Sequence, residues 1–284
     1  MEIINRRQRM FSIARKLRRD SKTVGFVPTM GALHAGHLEL VKEARQRCDS
    51  VIVSIFVNPT QFNDAKDLER YPRDLTKDSA LLAEYDVDHI YAPDAEEIYP
   101  PGFSTYVEVE GLTKGFEGAS RPGHFRGVAT IVTILFNTVR PDIAFFGQKD
   151  AQQVAVIKRL VADLGFETEI VVVPTVREAS GLAMSSRNER LSPDARDLAA
   201  VIINSLRAAK MEFKRGERNA AALTQIVLSG LSKEPLASVD HVAVVDAATM
   251  EPVERVGDTE TLIIAAVEFA GVRLIDNVLL NRGQ

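Results

Sequence analysis

Val24-Gly25-Phe26-Val27-Pro28-Thr29-Met30-Gly31-Ala32-Leu33-His34-Ala35-Gly36-His37 passes from a short apolar run, through a turn containing glycine, into a stretch of helical period. The run reads as a strand and the stretch after it as a helix. The same alternation recurs down the chain. Strands are expected at 24–28, 51–57, 89–92, 142–146 and 169–173, with helices at 36–47, 75–85, 128–139 and 151–164. Short β-branched runs separated by single helices are the pattern of crossover units on a parallel sheet. Residues 100–127 break the rhythm with six glycines and one short alternating run at 104–110, a composition that suggests a mobile wall or lid. After Pro174 the order changes to long helical patterns at 193–214 and 219–231, followed by strand-like runs at 239–245, 261–267 and 272–276. That order is α+β, so a second, smaller domain is expected to begin near 176–181.

The 284 residues leave room for about two domains. With 45% hydrophobic and 26% charged residues the chain is expected to fold around a real core. Lys and Arg number 35 against 39 Asp and Glu, a formal charge of −4, which removes the long-range attraction that nonspecific nucleic-acid binders need. No run approaches the ~18 apolar residues of a membrane span. Cys48 is the only cysteine, so no intramolecular disulfide can form; a reducing, cytoplasmic setting is expected, with Cys48 as inert packing. Eight Lys or Arg and two acids fall in the first 22 residues, yet Ile3, Ile4, Met10, Phe11, Ile13, Ala14 and Leu17 fit an amphipathic first helix rather than a targeting peptide.

Neither the GxGxxG fingerprint nor a GxxxxGK[ST] loop is present, so any nucleotide phosphates must be held otherwise. Three stretches are candidates. In the first, His34 and His37 stand three residues apart at a helix start, on one face, beside backbone N–H groups expected to be free and the positive end of the helix dipole. Both imidazoles can then donate to a polyphosphate, and Gly31 and Gly36 allow close approach. A single such histidine would more simply be a cap; the pair at a strand-to-helix junction points to a ligand. A zinc reading is weaker, since His89, His124 and His241 have no ligand spacing. In the second, Phe146-Gly147-Gln148-Lys149-Asp150-Ala151-Gln152-Gln153 again joins a strand end to a helix. There Lys149 can neutralise phosphate, Asp150 can hold Mg²⁺, and Gln153 is expected to face the cleft. In the third, Gly181-Leu182-Ala183-Met184-Ser185-Ser186-Arg187-Asn188 sets two hydroxyls beside a guanidinium, an anion clamp on a loop able to close over a triphosphate.

Together with Ser54-Ile55-Phe56-Val57-Asn58-Pro59-Thr60-Gln61-Phe62 and Gly118-Ala119-Ser120-Arg121-Pro122-Gly123-His124-Phe125-Arg126-Gly127, these stretches closely resemble, in order and over nearly the whole chain, the pantoate–β-alanine ligase family. His34-Ala35-Gly36-His37 is similar to the HxGH signature of the nucleotidyltransferase superfamily, and Met184 to Arg187 resembles the counterpart of the KMSKS loop of class I aminoacyl-tRNA synthetases. The resemblance implies a Rossmann-like parallel-sheet domain over 1–175 that binds ATP and pantoate, and a smaller C-terminal α+β lid domain over 176–284, in a homodimer. It implies that ATP, pantoate and β-alanine give pantothenate, AMP and pyrophosphate through a pantoyl adenylate, with Mg²⁺. ATP contacts are then expected from Met30, Gly31, Ala32, Leu33, His34, Ala35, Gly36, His37, Gly147, Gln148, Lys149, Asp150, Val176, Met184, Ser185, Ser186 and Arg187. Of these, His34, His37, Lys149, Ser185, Ser186 and Arg187 carry the catalysis. Gln61 and Gln153 are expected to hold pantoate, with Asn58 and Tyr71 as further pocket members. The chain departs from the family pattern at Ile134, Ala151 and Ser180, where relatives often carry Lys, an aromatic residue and Asp; these bear on packing and fine specificity.

Two other readings use the same helix start. A nucleotidylyltransferase would leave the nucleotide on its product, and a nucleotide sensor would bind ATP without turnover. A tRNA synthetase is disfavoured because no basic tRNA-binding region is visible.

Overall fold

A computed structural model describes residues 1–281. The chain falls into two compact units, one formed by residues 1–147 with 156–173, the other by 148–155 with residues from 174 onward.

The first unit is built on six parallel strands: β1 (Glu2–Ile4), β2 (Val24–Thr29), β3 (Ser50–Ile55), β4 (His89–Tyr91), β5 (Ile143–Gly147) and β6 (Glu169–Val173), in the order β1-β4-β3-β2-β5-β6. From β2 the chain steps outward through β3 to β4, then returns to the other side of β2 for β5 and β6. The order therefore reverses between β2 and β5, the position where open α/β sheets leave a crevice at the carboxyl ends of their strands. The central strands are nearly continuous apolar runs because helices cover both faces of a parallel sheet; Val51, Ile52 and Val53 of β3 are fully buried. The helix Ala35–Arg47 lays Leu38, Val41 and Ala44 into one core with Val27, Val53, Ile90 and Phe145. Cys48 sits in that core, and burial pushes its thiol up to about 11, so it is inert packing as expected.

The structure departs from the sequence reading in several places. Ile3 and Ile4 lie in β1, not in the first helix, which runs Arg7–Arg19. They pair with Ile90 and Tyr91 because adjacent β-branched residues suit the otherwise open edge of β4. The helix expected at 128–139 starts one turn earlier, at His124, directly after Gly123 in the left-handed conformation. The pattern at 193–214 is two helices, Pro193–Leu198 and Val201–Lys214; around Ala199 the hydrogen bonds tighten to i→i+3, as in Ala200 to Asp197 and Ile202 to Ala199, a change that apolar periodicity does not register. The alternating run 104–110 forms no strand. It packs on the helix His124–Val139, with Val107 N–H donating to Thr130 Oγ1 and the Arg126 guanidinium over the Tyr106 ring, 4.1 Å from its centroid.

In the second unit β7 (Ala237–Asp246), β8 (Thr261–Phe269) and β9 (Val272–Asn281) form an antiparallel sheet in that order. The helices Val201–Lys214 and Ala220–Leu231 share a core with it, built from Leu206, Leu223, Val227, Ile263, Val267 and Leu274. No helix among the described residues is long and apolar enough to cross a membrane.

Candidate active site

In the first unit, two of the singled-out stretches leave the carboxyl ends of β2 and β3. After β2 the Thr29 hydroxyl donates to the Ser54 carbonyl (2.7 Å) and accepts from Gly31 N–H (3.2 Å), turning the chain sharply. Gly31 sits at φ +82°, where a side chain would be strained. The next two amides, of Ala32 and Leu33, donate to the two oxygens of Asp78 at 3.0 and 2.9 Å. Asp78 is 2% exposed, on the helix Leu75–Ala83, and so sets the backbone that delivers His34. Met30 precedes this turn; Ala35 and Gly36 open the helix that follows it.

His34 is the N-cap of the helix Ala35–Arg47. Its Nδ1 accepts from Gly36 N–H (3.1 Å), while its own N–H donates to Nδ1 of His37 (3.4 Å), a capping box made by two histidines whose ring centroids are 4.1 Å apart. This corrects the expectation of free backbone donors: the amides of His34, Gly36 and His37 are all engaged within the turn, the last with the His34 carbonyl. The consequence is a fixed tautomer. An imidazole that accepts at Nδ1 carries its proton on Nε2 when neutral, so each ring is set as an N–H donor.

After β3, Asn58 is 1% exposed and fully engaged: its Nδ2 donates to Gln61 Oε1 (3.0 Å) and to the Gly127 carbonyl (3.1 Å), and its Oδ1 accepts from the hydroxyls of Thr60 (3.0 Å) and Tyr99 (2.7 Å). Burial raises the Tyr99 hydroxyl above its ordinary range and keeps it a donor. Asn58 therefore stands behind Gln61 and orients its amide, whose nitrogen lies 3.0 Å from Met30 Sδ. The Gln61 carbonyl accepts from His124 Nδ1 at 2.8 Å. Tyr71 closes the helix Ala65–Arg70 with its ring edge-on to Phe62.

Gly127 is where the helix His124–Val139 meets this loop. A Cβ there would lie 2.5 Å from the Thr60 carbonyl oxygen and 2.8 Å from the Gln61 nitrogen, distances that require backbone to move. Gly127→Ala is expected to destabilise the protein by about 1–3 kcal/mol through overpacking and, by displacing the Thr60–Gln61 backbone, to raise KM for pantoate more than KM for ATP. Thermal melts and steady-state kinetics check both parts; unchanged values would mean the helix and loop separate freely.

In the second unit, Gln148–Asp150 form a 3-10 turn before the helix Ala151–Leu164. Lys149 Nζ is 3.9 Å from Asp150 Oδ1, with the lysine side chain 18% and the carboxylate 46% exposed. In the helix, Gln152 is buried while Gln153 is half-exposed. Residues 176–184 fold back on themselves: Arg177 bridges Ala183, and Met184 N–H donates to the Val176 carbonyl (3.0 Å). Ser185 then caps the 3-10 turn Ser186–Arg190, its side chain accepting from Arg187 N–H at 3.2 Å. This loop is held from two sides. Burial would raise the Glu178 carboxyl, but hydrogen bonds from Arg196 (2.6 and 2.7 Å) and Asn188 (2.6 Å) outweigh it and hold the group below its ordinary range. On the other side Arg177 makes a bidentate pair with Asp276 of β9 at 2.6 and 2.9 Å and also reaches the Gly181 carbonyl.

Among the described residues no three His, Cys, Asp or Glu side chains cluster as a metal centre. Mg²⁺ is commonly held by one or two carboxylates together with substrate phosphates, and the half-exposed Asp150 carboxylate is of the chemical kind that would serve. Of the departures from the family pattern, Ala151 is buried at the start of its helix, Ile134 is half-buried, and the Ser180 hydroxyl accepts from Leu182 N–H within the turn.

Sequence reasoning passed over Asp78, Asp276 and Asn277. A signal existed: an acid on the buried face of a short helix, and an Asp-Asn step inside an apolar strand, each need partners.

A parallel sheet with reversed strand order, carrying a histidine-capped helix start at the reversal, defines a Rossmann-like α/β protein of the HxGH kind. The sequence model of pantoate–β-alanine ligases matches residues 2–279. The pantothenate synthetase of Pelotomaculum thermopropionicum is 51% identical over 99% of this chain and 100% of its own, and that of Thermotoga petrophila 49% identical over 99% and 100%. The crystal structure of the Thermus thermophilus pantothenate synthetase superposes with a TM-score of 0.92 at 46% identity, covering 99% of each chain. A Francisella tularensis pantoate–β-alanine ligase, crystallised with β-γ ATP and β-alanine, gives a TM-score of 0.81 at 38% identity, covering 100% of this chain and 99% of its own. The chain belongs to the pantoate–β-alanine ligase family. Its activity is accordingly the ATP-dependent formation of the amide bond between pantoate and β-alanine.

Proposed function

We propose that this activity runs through a pantoyl adenylate formed by the residues described above. A carboxylate resists attack by an amine because its leaving group would be oxide, so it must first become a mixed anhydride. The pantoate carboxylate attacks the α-phosphorus of ATP in line, forming the acyl–phosphate bond as the bond to pyrophosphate breaks. Charge grows on the departing pyrophosphate. His34 and His37 as Nε2–H donors, the Lys149 ammonium and the loop Ser185-Ser186-Arg187 answer that charge. The backbone of Met30, Gly31, Ala32, Leu33, Ala35, Gly36, Gly147, Gln148, Val176 and Met184 shapes the nucleotide site. Gln61 and Gln153 bind pantoate, with Tyr71 as a pocket member and Asn58 behind Gln61. The amine of β-alanine then attacks the pantoyl carbonyl and expels AMP. The smaller domain, residues 176–284, serves as the lid that keeps water from the adenylate. Mg²⁺, with Asp150 as its protein ligand, would offset triphosphate charge. The enzyme works as a homodimer in the cytoplasm.

One observation carries this reading: the histidine capping box sits where the strand order reverses, with both rings fixed as donors. The direct test supplies ATP, Mg²⁺ and pantoate with and without β-alanine and follows AMP. Steady AMP release should require β-alanine, while pyrophosphate exchange into ATP should require only pantoate. AMP retained on the product would instead identify a nucleotidylyltransferase.

Two variants refine the assignments. Gln61→Ala should raise KM for pantoate about 10-fold or more, the loss of a charge-directed hydrogen bond, and leave KM for ATP nearly unchanged; the opposite split in steady-state kinetics contradicts it. Asp150→Asn should shift a magnesium titration of activity to higher concentration, and an unchanged titration removes Asp150 as a ligand.

A further inference from the structure

We propose that Asn277 is a positioning residue for Lys149, acting from β9 through the main chain. The proposal rests on the reading of Lys149 as a group that answers the developing charge on pyrophosphate.

Asn277 lies in the last strand of the antiparallel sheet, 4% exposed. Its Nδ2 donates to two successive main-chain carbonyls, those of Gln148 (2.9 Å) and Lys149 (3.0 Å), and its Oδ1 accepts from Gln148 Nε2 (3.0 Å). A primary amide has two donor hydrogens and an acceptor oxygen, and here each side of the group is used on the same two-residue step. Its own backbone is held as well, since Asn277 N–H donates to Asp276 Oδ1 at 2.8 Å. Gln148–Asp150 is a single short 3-10 turn between a strand and a helix. A turn of that length has few internal bonds to resist rotation, so clamping both carbonyls from outside fixes the direction in which the Lys149 side chain leaves the backbone. A flexible four-carbon stem delivers its charge accurately only if its root is fixed, and an error of about 1 Å at a charge-stabilising group can cost ~10²-fold in rate.

A strand asparagine of this kind could instead serve stability alone, and the two roles separate by coupling. The test compares Asn277→Leu, which keeps the branched side-chain shape and removes every side-chain hydrogen bond, with Lys149→Ala and the double variant, in pantoate-dependent pyrophosphate exchange at saturating substrate and in thermal melts. Asn277→Leu is expected to lower the exchange kcat about 10- to 100-fold, measured below its melting transition, with KM for pantoate unchanged. In the Lys149→Ala background the same substitution should change kcat less than about 2-fold, because a residue acting only through Lys149 has nothing left to position. Asn277→Ser, which keeps one hydroxyl donor, should fall between wild type and Leu, and carries the measurement if the Leu variant does not fold. Full additivity in the double variant, or a lowered melting temperature with unchanged kcat, overturns the proposal. A Lys149→Ala variant with normal kcat would overturn instead the reading of Lys149 on which it rests.

Discussion

His37→Ala is expected to lower kcat about 10²- to 10³-fold, the cost of removing one preorganised donor from the place where, in the proposed mechanism, negative charge develops, with a smaller change in KM for ATP. The ring does two things. Its Nδ1 accepts from His34 N–H and closes the helix cap, and its Nε2–H is directed by that bond to donate elsewhere. Alanine removes both. Glutamine at this position of a capping box can restore the backbone acceptor but not the imidazole N–H. His37→Gln should therefore recover the melting temperature while kcat stays at least ~10-fold down. Steady-state kinetics with melts on both variants separates the roles: if glutamine restores kcat, His37 is a cap and nothing more.

Lys149→Ala should also cost about 10² or more in kcat, with KM for ATP less affected, because in the proposed mechanism its ammonium meets charge only as pyrophosphate departs and so binds the transition state more strongly than it binds ATP. The opposite split, near-normal kcat with a raised KM, would mean that Lys149 binds ATP and its transition state equally. Lys149→Arg is a useful companion. A guanidinium carries the same charge in a planar fork rather than as a point on a flexible stem, so it should recover only part of the rate.

Much of the first unit was legible in the residues. β6 and the helix Ala151–Leu164 fall at the expected positions, and β2, β3, β4 and β5 lie within two residues of theirs, because a strand buried on both faces leaves a short apolar run that composition alone marks. β1 escaped this test: three residues are too few to show a period, and what makes them a strand is the edge of β4, distant in sequence. The alternating run 104–110 misled in the other direction. Alternation records one-sided burial, and a helix can supply the burying surface as well as a sheet can.

The candidate residues themselves were readable, since two histidines and a lysine at strand-to-helix junctions and a serine-serine-arginine run on a loop are local features of the chain. What holds them was not. Asp78 reaches the Ala32 and Leu33 amides across 45 or more residues, Asp276 grips Arg177 from 99 residues away, and Asn277 meets Lys149 across 128.

Local composition therefore determined the parallel-sheet class and the helix start with its two histidines, and the resemblance carried by five ordered motif stretches pointed to the family to which the chain belongs. Only the tertiary structure decided that Asp78 holds the Ala32 and Leu33 amides ahead of those histidines, that Tyr99 and the Gly127 carbonyl engage Asn58, and that a C-terminal strand clamps the turn bearing Lys149. The physical reason is range: strand and helix preferences act over a few residues and leave a periodic trace, whereas a hydrogen bond between buried polar groups depends on which distant segments the fold brings within about 3 Å, and no local pattern encodes that meeting.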